Sequence, residues 1–173
     1  MEYDAFENLV NTMGSDVYSF CLQLARSRDE ADELYQDTML AAMEKYKKID
    51  TLGNPKSFLL GIVLGQWKNK RRRIARRRRI CPVTTLDEQL EEIYPADGQS
   101  LEEEIVRKET IQTVRKLTAQ LPDKYQIPVY LYYSRELPIE EIAAVMHIPA
   151  GTVKSRLHKA REILKSRLKE EEL

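Results

Sequence analysis

Apolar residues along this chain recur at steps of three and four, the spacing that lines one side of an α-helix. Between residues 3 and 25, Phe6, Leu9, Val10, Met13, Val17, Phe20, Cys21 and Leu24 form such a stripe, carried by one helix or by two short ones broken near Gly14-Ser15. Ser27-Arg28-Asp29-Glu30 has the form of a capping box, in which the Ser27 hydroxyl and the Glu30 carboxylate each accept from a free backbone N–H. A second helix is therefore expected from about Asp29. Its inward residues would be Ala31, Leu34, Tyr35, Thr38 and Ala42, with Asp32, Glu33, Gln36, Asp37, Leu40 and Met43 partly or wholly outside. Leu52-Gly53-Asn54-Pro55 reads as a loop. A third helix follows from about Lys56 through Phe58, Leu59, Ile62, Val63 and Trp67.

From 80 to about 100 the pattern dissolves into Pro82, a Thr pair, Pro95, Asp97-Gly98 and scattered acids, a linker composition. Helical periodicity returns with Leu101, Ile105, Ile111, Val114, Leu117 and Leu121, stops at Leu121-Pro122, and resumes through Ile127, Val129, Leu131 and Tyr132. Pro128 removes a backbone donor and is expected to kink that last helix or to mark its first turn. The fold class is thus all-α, with two small helical domains over 1–80 and 105–173 joined by a flexible acidic linker over 81–104.

The most specific pattern lies in the last third. Pro138-Ile139-Glu140-Glu141-Ile142-Ala143-Ala144-Val145-Met146 reads as one helix, His147-Ile148-Pro149-Ala150 as a turn, and Gly151-Thr152-Val153-Lys154-Ser155-Arg156-Leu157-His158-Lys159-Ala160-Arg161 as a second helix. Together they form a helix-turn-helix. Pro138 suits the first helical position, Ile142 and Val145 face inward, Ala143 permits close approach, and Ile148 plugs the turn. Val153, Leu157, Ala160 and Leu164 make the buried stripe of the second helix. Lys154, Ser155, His158, Lys159 and Glu162 then project from its other side, where they can meet phosphates and base edges in the major groove.

Charge sharpens the picture. The formal net charge is zero, yet the charges are segregated. Residues 68–79 hold Lys68, Lys70, Arg71, Arg72, Arg73, Arg76, Arg77, Arg78 and Arg79 with no acid among them. Residues 87–109 hold Asp87, Glu88, Glu91, Glu92, Asp97, Glu102, Glu103, Glu104 and Glu109 against only Arg107 and Lys108. One surface for phosphates and one segment that avoids or competes with them is the natural reading. No apolar run approaches the roughly 18 residues that span a bilayer. The start Met1-Glu2-Tyr3-Asp4 lacks the pattern of an export signal, so a cytoplasmic location is expected. Cys21 and Cys81 are then reduced thiols, one in a helix core and one in the linker. Neither has a Cys or His at ligand spacing. No metal site, cofactor or catalytic residue is called, because the two histidines lie on the helix-turn-helix and no nucleophile is paired with a base.

The stretch from Leu121-Pro122-Asp123-Lys124-Tyr125 to Leu164, with Glu140-Glu141-Ile142-Ala143 and Gly151-Thr152-Val153-Lys154-Ser155-Arg156 inside it, closely resembles region four of bacterial RNA polymerase sigma factors. Asp29-Glu30-Ala31-Asp32-Glu33-Leu34-Tyr35-Gln36-Asp37 resembles their region two, and Ser57-Phe58-Leu59-Leu60 onward to Asn69 resembles the helix that melts and recognises promoters. With no third domain between, the arrangement is similar to the extracytoplasmic-function group. The resemblance implies promoter recognition by a dissociable polymerase subunit that is not an enzyme. It implies that Glu33, Gln36, Asp37, Met39 and Met43 dock on the clamp helices of the polymerase largest subunit, with the flap as a further contact. Asn54, Lys56, Lys68, Asn69, Arg72 and Arg73 would serve melting and the downstream element. Thr152, Lys154, Ser155, Arg156, His158 and Lys159 would read the upstream element. An anti-sigma protein is the further partner implied.

Several positions depart from the family pattern. Phe58 stands where tryptophan is common, Gly61 and Gly65 where larger polar residues are usual, Trp67 where a small residue is usual, and Pro138 where a Ser or Thr cap is usual. Trp67 is expected to pack rather than to stack on a base. The acidic linker either threads toward the polymerase cleft or serves as a solvated tether. A second function class, a stand-alone helix-turn-helix regulator whose first half senses a ligand or dimerises, differs by needing no polymerase contact.

Overall fold

The computed structural model of the chain describes residues 2–46, 53–80 and 101–171. Among them lie seven α-helices and one π-helical turn, with no strand. The chain divides into two compact units, Met1–Ile93 and Tyr94–Leu173. The residues of the acidic linker up to 100 lie outside the described ones, as do Cys81 and residues 47–52 of the loop before the third helix.

The first unit is built from α1 (Glu2–Leu24), α2 (Arg28–Lys45) and α3 (Pro55–Ile80), each packed on the other two. Helix α1 is a single helix that runs unbroken through Gly14. The glycine is buried because α2 comes close: a Cβ there would stand 3.0 Å from the Tyr35 hydroxyl. Tyr35 in turn packs edge-on against Tyr18, 5.5 Å between ring centroids, and the Tyr18 hydroxyl donates to Asp32 at 2.6 Å. The Ser27 hydroxyl accepts from Glu30 N–H at 3.2 Å and the Glu30 carboxylate accepts from Arg26 N–H at 2.8 Å. Two free donors at the start of α2 are thereby satisfied.

Burial follows the apolar stripes. Val17, Phe20, Cys21 and Leu24 of α1 meet Ala31, Leu34 and Ala42 of α2 and Leu59, Leu60, Val63, Leu64 and Trp67 of α3, all buried. Phe6, Leu9, Val10 and Met13 are half-buried, as are Tyr35, Phe58 and Ile62, because a unit of only three helices cannot enclose every apolar position. Thr38 is fully buried and returns its hydroxyl to Leu34 C=O at 2.7 Å. Burial pushes the Cys21 thiol up to about 12, which leaves it protonated and unreactive. Trp67 packs in the core, and its indole N–H donates to Leu24 C=O at 3.1 Å, supplying a partner for a carbonyl at the end of α1.

The second unit comprises α4 (Leu101–Ala119), α5 (Asp123–Val129) with the π-helical turn Tyr130–Ser134, α6 (Ile139–Met146) and α7 (Ala150–Glu171). Helix α4 includes residues 101–104, which the sequence reading had assigned to the linker. The buried Gln126 side chain donates to Thr118 C=O at 3.1 Å and Ala119 C=O at 2.9 Å, tying the open end of α4 to α5. Pro128 sits at the sixth residue of α5, not in its first turn. It removes a donor there, and two residues later the chain passes into the wider π register, with Arg135 N–H reaching back to Tyr130 C=O at 3.0 Å. Pro138 is the N-cap of α6 rather than its first helical residue: its backbone is extended and its carbonyl accepts from Glu141 and Ile142 N–H, each at 3.0 Å.

The turn between α6 and α7 closes on His147 in the left-handed region, φ 56°. Ile148 N–H bonds Ala143 C=O at 3.0 Å and His147 N–H bonds Ala144 C=O at 3.3 Å, the pairing that ends a helix when the next residue turns left-handed. Glycine is usual at such a position, because a Cβ there crowds the following carbonyl. Ile142, Val145, Met146, Val153, Leu157 and Ala160 are buried with Leu117, Leu121, Ile127 and Leu131, while Ile148 and Leu164 are half-buried.

Two substitutions test these contacts, each read by urea titration with hydrogen exchange resolved to peptides. Trp67→Phe keeps an aromatic ring but loses the bond to Leu24 and some packed volume, and is expected to destabilise α1 and α3 by about 2–3 kcal/mol without affecting the second unit. His147→Gly relieves the left-handed residue and is expected to stabilise α6 and α7 by about 0.5–1 kcal/mol.

Candidate nucleic-acid and partner interfaces

Three surfaces emerge once the stripes are buried. On α2 the inward positions are Ala31, Leu34, Thr38 and Ala42, so Glu33, Gln36, Asp37 and Met43 lie exposed and Met39 is half-buried. Leu40 shares this outer face at 59% exposure and Met43 stands at 46%. An exposed leucine and methionine beside carboxylates make a surface that can desolvate against a partner and pair with its cations. Leu40 was absent from the candidate set. Its outward register on α2 was the signal that marked it. Glu33 does not stand free: Lys70 of α3 bonds its carboxylate, and that bond and charge hold Glu33 below the usual carboxylate range. The pair links the outer face of α2 to the start of the basic run.

The second surface follows α3. Asn54 is the helix cap, its side-chain oxygen accepting from Lys56 N–H at 3.0 Å and its carbonyl from Phe58 N–H at 3.1 Å. The Lys56 ammonium pairs with Asp16 of α1 at 2.9 Å. Both residues thus brace the entry of α3 and are half-buried. Further along, Gly61, Gly65, Asn69 and Arg72 fall on one side of the helix at steps of four and three. A Cβ at either glycine would meet nothing within 4 Å, so this side of α3 is smooth and open. Lys68 is half-buried beside it, and Asn69, Arg72 and Arg73 are exposed. Arg71 stacks over the Trp67 ring, 4.8 Å from its centroid, so the core tryptophan also orients a cation at the surface.

The third surface is the outer side of α7. Lys154, Ser155, His158, Lys159 and Glu162 are exposed, while Thr152 and Arg156 are half-buried at its margin. Pro149 C=O accepts from Thr152 N–H at 3.0 Å and Val153 N–H at 3.2 Å, and the Ser155 hydroxyl returns to Thr152 C=O at 3.0 Å. Glu162 lies one turn beyond the cations: its carboxylate accepts from Lys159 Nζ at 3.1 Å and stands 3.4 Å from His158 Nε2. The Lys159 bond and charge, then the His158 charge, hold Glu162 below the usual carboxylate range. Arg161 also belongs to this side and was missed by the sequence reading. It lies seven residues after Lys154, and its Nε donates to the exposed Tyr133 hydroxyl at 2.6 Å, which steadies the guanidinium. Among the described residues no group of His, Cys, Asp and Glu could hold a metal ion, and no helix is long and apolar enough to cross a membrane.

Comparison with known proteins agrees with the two units. The family description "Sigma-70 region 2" matches residues 9–78 and "Sigma-70, region 4" matches residues 111–164. The chain is 29% identical to the ECF RNA polymerase sigma factor SigW of Bacillus subtilis over 98% of its own length and 91% of that protein. It is 26% identical to SigM of the same organism, over 88% of each. Among solved structures, the sigma factor RpoE in complex with the anti-sigma factor NepR, from Bartonella quintana, is similar with a TM-score of 0.80 at 24% identity, covering 95% of this chain and 97% of that one. The chain belongs to the sigma-70 family, in its extracytoplasmic-function group. It is an RNA polymerase sigma factor, which directs promoter recognition and transcription initiation and binds core polymerase and promoter DNA. A stand-alone regulator is not favoured, because the first unit matches the polymerase-binding region of that family.

The Glu162 pairing yields a test. Glu162→Gln removes a negative charge from the exposed side of α7 and releases Lys159. Affinity for duplex DNA, measured by fluorescence anisotropy at low salt, is expected to rise about two- to fivefold, with the gain shrinking as salt screens it.

Proposed function

We propose that the residues on these surfaces divide the work of initiation among them. The outer face of α2, with Gln36, Asp37, Leu40 and Met43 and with Glu33 and Met39 at its edges, docks on the clamp helices of the polymerase largest subunit. Its carboxylates meet basic groups and its exposed apolar side chains adapt to the partner's shape. Asn54 and Lys56 at the start of α3, with Lys68, Asn69, Arg72 and Arg73 further on, serve promoter melting and the downstream element. The open side of α3 over Gly61 and Gly65 supports this assignment, since a nucleic-acid backbone can approach the helix closely there. Thr152, Lys154, Ser155, Arg156, His158 and Lys159 read the upstream element, with α7 set in the major groove.

In this reading no bond is made or broken by the protein, so it is not an enzyme. Melting is performed by binding energy: an unpaired base held by stacking and hydrogen bonds offsets the cost of leaving the duplex. Work on DNA with polymerase places the protein in the cytoplasm. The domain division follows the same assignment, 1–80 for polymerase binding and melting and 101–173 for the upstream element, with 81–100 between them as a tether. An anti-sigma protein restrains the factor. The relatives support this, since RpoE is seen in complex with NepR, and CnrH with the cytosolic domain of CnrY.

The observation that carries the assignment is that one face of each of α2, α3 and α7 stays exposed and chemically distinct from the buried core positions of the same helix. Purified core polymerase with this protein is expected to start promoter-specific transcripts. Gln36→Ala with Asp37→Ala should weaken holoenzyme assembly, measured by competition for core, while leaving duplex binding unchanged. Lys154→Ala should weaken upstream-element binding and lower its salt slope by about one. If the Gln36 and Asp37 changes leave assembly intact, the α2 assignment is wrong.

A further inference from the structure

We propose that Tyr133 is a positioning residue for DNA binding: it holds the Arg161 guanidinium on the outer side of α7, aimed at the phosphate backbone beside the groove, without cancelling its charge. The inference rests on the reading of α7 as the helix that meets duplex DNA, and it concerns two residues which that reading leaves unused.

Arg161 lies seven residues beyond Lys154, about 700° of helical turn, so the two share one side of α7. Their separation along the axis is about 10 Å. A recognition helix meets base edges with its N-terminal residues, and its later turns pass the backbone. Arg161 therefore stands where phosphates, rather than base edges, are within reach. Two cations on this side are held in different ways. The Glu162 carboxylate binds Lys159 at 3.1 Å and offsets its charge. Arg161 has no carboxylate partner among the described residues. Its Nε donates to the Tyr133 hydroxyl at 2.6 Å, and its Cζ stands 5.8 Å from the centroid of the same ring. A hydroxyl and a ring face fix a guanidinium and leave its full positive charge in place. With Nε engaged, the terminal nitrogens Nη1 and Nη2 keep their N–H donors for a phosphate.

Tyr133 is itself held. It lies in the π-helical turn Tyr130–Ser134, where Tyr130 and Leu131 are buried while Tyr133 is 54% exposed. Arg135 N–H bonds Tyr130 C=O and Leu137 N–H bonds Leu131 C=O, each at 3.0 Å, which closes the backbone on either side of it. The Tyr132 ring packs edge-on against the Tyr133 ring, 4.9 Å between centroids. An arginine side chain is long and flexible, and ordering it opposes binding, whereas a tyrosine is a rigid ring on a short stem. The anchored ring orders Arg161 before DNA arrives, so that cost is removed from the binding step.

The test uses the full chain and a duplex of mixed sequence, since a phosphate contact needs no particular bases. Affinity is measured by fluorescence anisotropy across a salt series for Tyr133→Phe, Arg161→Ala and the double variant. Tyr133→Phe keeps the ring and removes the hydroxyl. It is expected to weaken binding about two- to tenfold with the salt slope unchanged, because no charge is lost. Arg161→Ala is expected to lower the slope by about 0.9. In the double variant the tyrosine change should cost nothing further, which separates positioning of Arg161 from support of the fold. Wild-type affinity in Tyr133→Phe, or a wild-type slope in Arg161→Ala, overturns the proposal. So does a tyrosine change that costs the same with and without Arg161. Lys154→Ala is the control for the α7 reading. If it binds as wild type does, that reading fails and the proposal with it; if it binds weakly while Tyr133→Phe binds normally, only the positioning role fails.

Discussion

Each helix of this protein carries one apolar stripe, and burying that stripe is the constraint from which its working surfaces follow. In the first unit Leu34 and Ala42 turn inward on α2, and that alone sends Gln36, Asp37, Leu40 and Met43 outward. In the second unit Val153, Leu157 and Ala160 turn inward on α7, and Lys154, His158 and Lys159 have no other side to occupy. A residue every three or four positions is enough to hold the helix in place, so the remaining positions are free to carry charge. Function and packing therefore share the same helices with little conflict.

The surfaces differ in how their charge is managed. On α7 the cations are tempered by Glu162, which holds Lys159 and stands near His158. On α2 the Glu33 carboxylate is held by Lys70, so part of the acidic face is already neutralised by the neighbouring helix. At the end of α3, Arg76, Arg77, Arg78 and Arg79 are exposed and, among the described residues, hold no carboxylate. Exposed ion pairs of the first kind contribute little to stability, about 0–1 kcal/mol each. What they change is which cations are already held by a carboxylate.

Irregular backbone stands where the helices must turn. His147 is left-handed between α6 and α7, Pro138 caps α6 without a side-chain bond, and the π-helical turn follows Pro128. Each departs from the residue a simple capping rule would choose. They persist because the core on either side determines the path: Ile142, Val145 and Val153 are buried whatever the turn between them prefers.

The all-helical class, the capping box at Ser27, the helix-turn-helix and the identity of the exposed residues on α2 and α7 were decided by sequence alone, because helical periodicity separates inward from outward positions without reference to any other part of the chain. The segregation of charge was equally local and equally legible. What only the tertiary structure decided are the contacts between elements distant in sequence. Gly14 has the Tyr35 hydroxyl where a Cβ would stand, Glu33 is partnered because Lys70 arrives from another helix, Lys56 is engaged by Asp16, and Trp67 finds the carbonyl of Leu24. No periodicity encodes these pairings, since they depend on the angle and register at which separate helices meet, and those are set by the packing of the whole unit.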